Sequence, residues 1–206
     1  MAASATSRKP IIGLAGGIGS GKTTVAGILA ELGAAVISSD ALNREELDDP
    51  GVVDRLCEWF GESIRGADGR VNRAVLRRLI ADDREARARM ESLLHPRVEE
   101  RRRRIMAEVS ANPRVRAIVW DSPLLYETGL DARCDRVVFV EADDAVRAAR
   151  VRERGWTPAD LKAFEAAQKP LDFKRASADH RVVNNSDVVA LRRQVEEIFS
   201  RILSGA

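Results

Sequence analysis

The 206-residue chain is poor in the residue types that carry redox, zinc and single-strand nucleic-acid chemistry. Only two cysteines are present, Cys57 and Cys134, and neither has metal-ligand spacing around it. Both read as small apolar side chains, so disulfide and zinc chemistry find no support. Aromatic residues make up 4% of the chain, and no apolar run approaches the length of a bilayer span. Residues Met1 to Pro10 lack the apolar segment of a secretory signal, which makes the cytoplasm the expected compartment and predicts no membrane partner. An excess of one charge is missing too: 34 basic residues face 32 acidic ones, and a net charge of +2 is too small to imply nucleic-acid binding. No internal repeat or low-complexity tract occurs. What remains, 45% hydrophobic with 32% charged residues, describes a folded protein with one good core and room for an insertion or a lid.

Against that background, Gly16-Gly17-Ile18-Gly19-Ser20-Gly21-Lys22-Thr23 stands out. Closely spaced glycines let the backbone curl until several N–H groups aim at one anion, and a following helix adds its positive N-terminal end. The order around the loop is the required one. The apolar run Ile11 to Ala15 precedes it, and Val25, Ala26, Ile28, Leu29 and Leu32 follow at helical spacing before Gly33 supplies a left-handed stop. In such a loop the backbone and side chains of Gly17 through Thr24 surround nucleotide phosphates. Lys22 then reaches the β- and γ-phosphates, and the Thr23 hydroxyl ligates the magnesium ion that travels with ATP.

Further β-branched runs lie at Ala34–Ile37, Val115–Trp120, Arg136–Val140 and Arg181–Val183, making five candidate strands. Their near-continuous apolar character, with helical segments between them, predicts a parallel sheet buried on both faces. The expected organisation is a nucleotide-binding core of residues 1–43, 115–143 and 176–206, a helical insertion over 44–114, and a lid over 144–175. The lid breaks at Gly155-Trp156-Thr157-Pro158, where Thr157 is placed to cap a helix begun by Pro158. A last helix near Val188 to Leu203 puts Val188, Leu191, Val195, Ile198, Phe199 and Ile202 on one face. The insertion is basic: fourteen arginines between Arg70 and Arg116 face seven acids, about +7, with few aromatics for base stacking. A small polyanionic ligand suits such a segment better than a nucleic acid.

Ligands of open parallel sheets collect beyond the carboxyl ends of the strands, so the acids that follow strands are informative. Asp121 takes the position of a magnesium-holding carboxylate, which leaves Asp40 to accept a proton from an attacking hydroxyl. In the lid, Arg147, Arg150 and Arg154 recur at i, i+3 and i+7 and so share a face, whereas Arg152 points elsewhere. Arg150 and Arg154 are the expected phosphate ligands. Arg147 and Arg152 fit a solvated helix equally well. The run Arg101 to Arg104 cannot bring more than two side chains to one ligand, and His180 reads as structural.

Taken together, these residues resemble the dephospho-CoA kinase family. The resemblance rests on the loop, Asp40 to Arg44, Pro50-Gly51, Phe60-Gly61, Asp68-Gly69 with Arg73, His95-Pro96, Asp121-Ser122-Pro123-Leu124-Leu125-Tyr126-Glu127, Arg150 with Arg154, Gln168 with Lys174, and Ala178-Asp179 leading to Asn184. It implies an α/β fold of P-loop NTPase type, a five-stranded parallel sheet flanked by helices with a helical substrate insertion and a helical lid. It further implies ATP with Mg2+ as donor and dephospho-CoA as acceptor, phosphorylated at its 3′-hydroxyl in the last step of coenzyme A synthesis. Asp40 would be the base, Lys22 and Arg150 would act on the phosphates, and the region of Asn184 would border the ATP base. Arg44, Arg73, His95 and Arg97 would meet the acceptor, and the chain would be a monomer or weak homo-oligomer. Departures from the family pattern fall at Ala15, Ser38, Gly155, Phe164, Val183 and Ser186. A nucleoside monophosphate kinase would share loop and lid, whereas a guanine-reading switch would need Asn-Lys-x-Asp and a glycine at residue 124, and the chain has neither.

Overall fold

All five apolar runs become strands of one parallel sheet in a computed structural model, which describes residues 8–153, 155–166 and 168–205. The strands are β1 (Ile11–Gly16), β2 (Ala34–Ser38), β3 (Ala117–Asp121), β4 (Arg136–Glu141) and β5 (His180–Val183), in the order β2-β3-β1-β4-β5. Every residue of β1 is buried, as are all of β3 and β4 except at their ends, which explains why these segments lack polar alternation. Parallel neighbours cannot be joined by hairpins, so helices carry the chain between them. Helix α1 (Lys22–Glu31) links β1 to β2, α6 (Asp144–Glu153), α7 (Pro158–Ala166) and α8 (Leu171–Ala176) lie between β4 and β5, and α9 (Val188–Ser204) ends the chain.

The chain divides into two compact units, one running up to Ser38 and resuming at Glu108, the other comprising Ser39–Ala107. The sheet unit holds its core between strands and two helices. Ile12, Leu14, Val119, Val138 and Val140 pack with Val25, Ile28 and Leu29 of α1 and with Leu191, Val195, Phe199 and Ile202 of α9. Each such side chain contributes about 1.5–3 kcal/mol on burial. Gly33 ends α1 in the left-handed region at φ +96, the stop that its position predicts. Thr157 and Asp160 form a reciprocal capping box at the start of α7, with the Asp160 N–H donating to the Thr157 hydroxyl and the Thr157 N–H to the Asp160 carboxylate. One expectation fails: Val188 is 59% exposed. It directly follows the N-cap Asp187, and the apolar face of α9 meets the core only from Leu191 onward.

The helical unit contains α2 (Ser39–Leu47), α3 (Pro50–Phe60) and α4 (Arg73–Asp82), with α5 (Arg84–Ala111) running out of it at its C-terminal end. Its own core gathers Val52, Val53, Leu56, Ile64, Val71, Leu76 and Leu94. Asp49 caps α3 by accepting from the N–H groups of Gly51 and Val52, with Pro50 at the first helical position where its missing N–H costs nothing. Among the described residues of this unit the strand-like pairing reduces to one isolated bridge, Arg65 with Val71. Cys57 and Cys134 are free thiols, the first buried and the second partly so, with burial pushing the Cys134 thiol up to about 12.

Candidate active site

The loop after β1 has the geometry of an anion cradle. Gly19 and Gly21 both adopt left-handed conformations, φ +78 and +93, and Gly21 forms the N-cap of α1. Alternating handedness turns successive N–H groups inward, and the start of α1 adds its positive end. Lys22 folds back over this curve and donates from Nζ to the carbonyls of Gly16 at 2.8 Å and Gly17 at 3.1 Å. Thr23 and Thr24 stand exposed in the first turn of α1, while Gly17, Gly19 and Ser20 are buried and Ile18 half-buried. A buried Ser20 hydroxyl has no hydrogen-bond partner among the described residues.

Two side chains from beyond β4 brace the loop. Arg150 of α6 donates to the carbonyls of Gly19 (3.3 Å), Ser20 (3.2 Å) and Asn184 (3.0 Å), and to the Asn184 side-chain oxygen. Asn184, just past β5, is buried and donates from Nδ2 to the Ser20 carbonyl at 2.8 Å. Its approach is so close that a Cβ on Gly21 would lie 2.1 Å from Nδ2, so this loop position must be glycine. Arg150 and Asn184 thus meet at the loop although 34 residues separate them. Arg154 lies outside the described residues.

Asp121 ends β3 in register with Leu14 of β1 and Ser38 of β2, partly buried beside the strand that feeds the loop. Thr23 and Asp121 offer hard oxygen donors, the set that suits Mg2+. Among the described residues no group of three or more His, Cys, Asp or Glu side chains could hold a metal ion. One or two protein oxygens of this kind would serve a magnesium ion whose other ligands are nucleotide phosphates.

Asp40 is exposed in the first turn of α2, two residues past the carboxyl end of β2 in the chain. Arg44, one turn on, donates from Nε to the Asp40 carbonyl at 3.2 Å. Arg73 binds the Asp48 carboxylate at 2.7 Å and reaches the Arg44 carbonyl. Arg97 binds Glu46 and Asp49, each at 2.9 Å, and Arg101 joins it on Glu46 and Glu45. Arg44, Arg73 and Arg97 are therefore gathered around the acids of α2 and the start of α3. His95 is exposed on α5 two residues before Arg97, which puts it on the opposite side of that helix.

Three features carry no assigned role in the sequence reading. Glu46 is the buried acid on which Arg97 and Arg101 converge, and nothing in its local sequence separates it from its exposed neighbour Glu45. Arg147 is buried against the loop rather than solvated. Lys174 is 2% exposed and binds Glu127 at 2.9 Å and Gln168 at 2.9 Å. Burial pushes the Glu127 carboxyl up, but hydrogen bonds from Lys174 and the Lys169 N–H outweigh it and hold the group below its ordinary value. The only advance signal for this last cluster was the recurrence of Glu127, Gln168 and Lys174 in the family pattern.

The family model for dephospho-CoA kinase, CoaE, matches residues 10–190. A dephospho-CoA kinase of Thiobacillus denitrificans is 40% identical over 197 residues, covering 94% of this chain and 95% of its own. One from Corynebacterium efficiens is 38% identical over 196 residues, covering 94% and 97%. The crystal structure of TT1252 from Thermus thermophilus superposes with a TM-score of 0.79 at 32% identity, covering 95% of this chain and 99% of that one.

Proposed function

The chain belongs to the dephospho-CoA kinase family, and from that premise we propose how its residues divide the transfer of a phosphoryl group from ATP to the 3′-hydroxyl of dephospho-CoA. The loop Gly17 to Thr24 holds the triphosphate through backbone N–H groups, with Lys22 swinging from the Gly16 and Gly17 carbonyls onto the β- and γ-phosphates. Arg150 keeps the loop curved and adds positive charge where charge builds up on the transferred group. Asn184 walls the nucleotide side, its amide committed to the Ser20 carbonyl. Thr23 and Asp121 would hold Mg2+, which when bound neutralises the terminal phosphates. Asp40 takes the proton from the 3′-hydroxyl, and Arg44, Arg73 and Arg97 hold the acceptor, whose pyrophosphate suits guanidinium forks; His95, on the other side of α5 from Arg97, is left out of that group. The observation that carries this reading is the loop itself: a left-handed glycine cradle with Lys22 folded over it and Arg150 and Asn184 fixed to its carbonyls.

A panel of acceptors tests it. Purified protein with MgATP should convert dephospho-CoA to coenzyme A and leave AMP, CMP and adenosine largely untouched. Transfer mainly to AMP would sink the assignment in favour of a nucleoside monophosphate kinase.

A further inference from the structure

Arg150 of α6 has a part in the proposed transfer, whereas the more deeply buried arginine one turn earlier has none. Arg147 has a side chain 7% exposed, and it reaches three segments at once. NH1 donates to the Ile18 carbonyl at 3.2 Å and to the Glu165 carboxylate of α7, and NH2 donates to Asp144 at 2.9 Å. Nε is buried with no hydrogen-bond partner among the described residues. The fit against the loop is tight. A Cβ on Gly17 would lie 2.8 Å from Arg147 NH1, and a Cβ on Gly19 would lie 2.8 Å from the Arg147 carbonyl.

These contacts are made to backbone carbonyls of the loop. A peptide unit whose carbonyl points outward to a donor presents its N–H inward, so a guanidinium clamped on the Ile18 carbonyl holds the following N–H toward the phosphate position. Arg150 does the same for the next two carbonyls, Gly19 and Ser20. The two arginines, at i and i+3 on one helix face, fix three consecutive peptide orientations. Arg147 has a second connection that Arg150 lacks. Among the described residues helix α7 buries none of its own, and Phe164 stacks on Trp156 of the same hairpin at 4.7 Å. Glu165 therefore ties α7 to α6, and through one guanidinium to the loop.

We propose that Arg147 is a positioning residue that orients the Gly17–Ile18 half of the phosphate loop and, through Glu165, latches α7 to it, so that order in the lid hairpin and affinity for ATP are coupled. This rests on the reading of residues 17–24 as the ATP-phosphate loop. Asp144 is 94% exposed and contributes little beyond shielding. Glu165, 32% exposed, is the partner that transmits the coupling.

The experiment is calorimetric titration with MgATP and, separately, with dephospho-CoA, combined with amide hydrogen exchange over 17–20 and 158–166. The proteins compared are the unaltered chain, Arg147→Gln, Arg147→Lys, Glu165→Gln and the double variant Arg147→Gln with Glu165→Gln. Arg147→Gln should weaken MgATP about tenfold, leave dephospho-CoA within about twofold, and speed exchange in both segments. Glu165→Gln should weaken MgATP by only about twofold to threefold and speed exchange in 158–166 alone. Arg147→Lys should recover part of the MgATP affinity, because its ammonium can still reach Ile18. In the double variant, Arg147→Gln with Glu165→Gln, the losses should not add, since Glu165 acts through Arg147. Unchanged MgATP affinity in Arg147→Gln, an equal loss of both ligands, or unchanged exchange over 158–166 in either variant overturns the inference. If Arg147→Gln does not fold, Arg147→Lys and Glu165→Gln carry the same test. Failure of the unaltered chain to bind MgATP would overturn the phosphate-loop reading and this one with it, whereas normal binding with indifferent variants overturns this one alone.

Discussion

Arg150 in the sheet unit and Arg97 in the helical unit carry the same charge and are held in opposite ways. The partners of Arg150 are neutral oxygens, the carbonyls of Gly19, Ser20 and Asn184 and the Asn184 amide. Those of Arg97 are two carboxylates, the buried Glu46 and Asp49. A guanidinium on carbonyls is fixed in place but keeps its positive field, which is then available to an arriving anion. One on carboxylates is neutralised where it stands and reaches an anionic ligand only by exchanging partners. Glu46 makes that exchange tolerable, because Arg101 remains on it. Under the proposed assignment, Arg150 is prepared in advance for its ligand, while Arg97 must trade internal ion pairs for external ones.

The largest effect should come from Asp40, proposed both to take the proton and to meet the acceptor. Asp40→Asn should lower turnover by at least about a hundredfold, the usual size of base catalysis, while MgATP binds as before. Rapid-quench measurement of the chemical step checks this, and near-normal turnover removes Asp40 from the role. A smaller effect sharpens the comparison at a cation of the sheet unit that, like Arg147, sits on a carboxylate: Lys174, paired with Glu127. The Glu127 carboxyl titrates below its ordinary value of 4.5, so it adds stability that is full above that pH and is lost as the pH falls through the lowered value. Glu127→Gln should cost about 1.5 kcal/mol at neutral pH. The gap between the two proteins should close on acidification, as urea denaturation followed from about pH 6 to about pH 3 would record. A gap independent of pH would mean that the lost packing, not the charge pair, sets the cost.

How much of this was legible beforehand depends on how far apart the interacting residues lie. The strands, the loop, the Gly33 stop and the Thr157 cap are written in local patterns of burial and turn chemistry, and the structure follows them. Val188 fits the apolar period of α9 yet stays exposed, because periodicity gives a face but not where along the helix that face meets the core. Arg147 and Arg150 occupy equivalent positions on one helix face. What distinguishes them is a loop 129 and 131 residues earlier in the chain, and no spacing within α6 reveals it. Glu46 was invisible for the same reason: its partners stand 51 and 55 residues away on α5.

The contrast between the two units predicts a crossover in ligand affinity, and calorimetric dissociation constants for MgATP and dephospho-CoA in Arg150→Ala and Arg97→Ala test it most directly. Arg150→Ala should lose about tenfold or more in MgATP and stay within about twofold for dephospho-CoA. Arg97→Ala should do the reverse, with a smaller loss of about fivefold, since part of what that arginine gives the ligand is taken from Glu46 and Asp49. Equal losses of both ligands in both variants, or an Arg150→Ala protein that binds MgATP as well as the unaltered chain, would contradict the account.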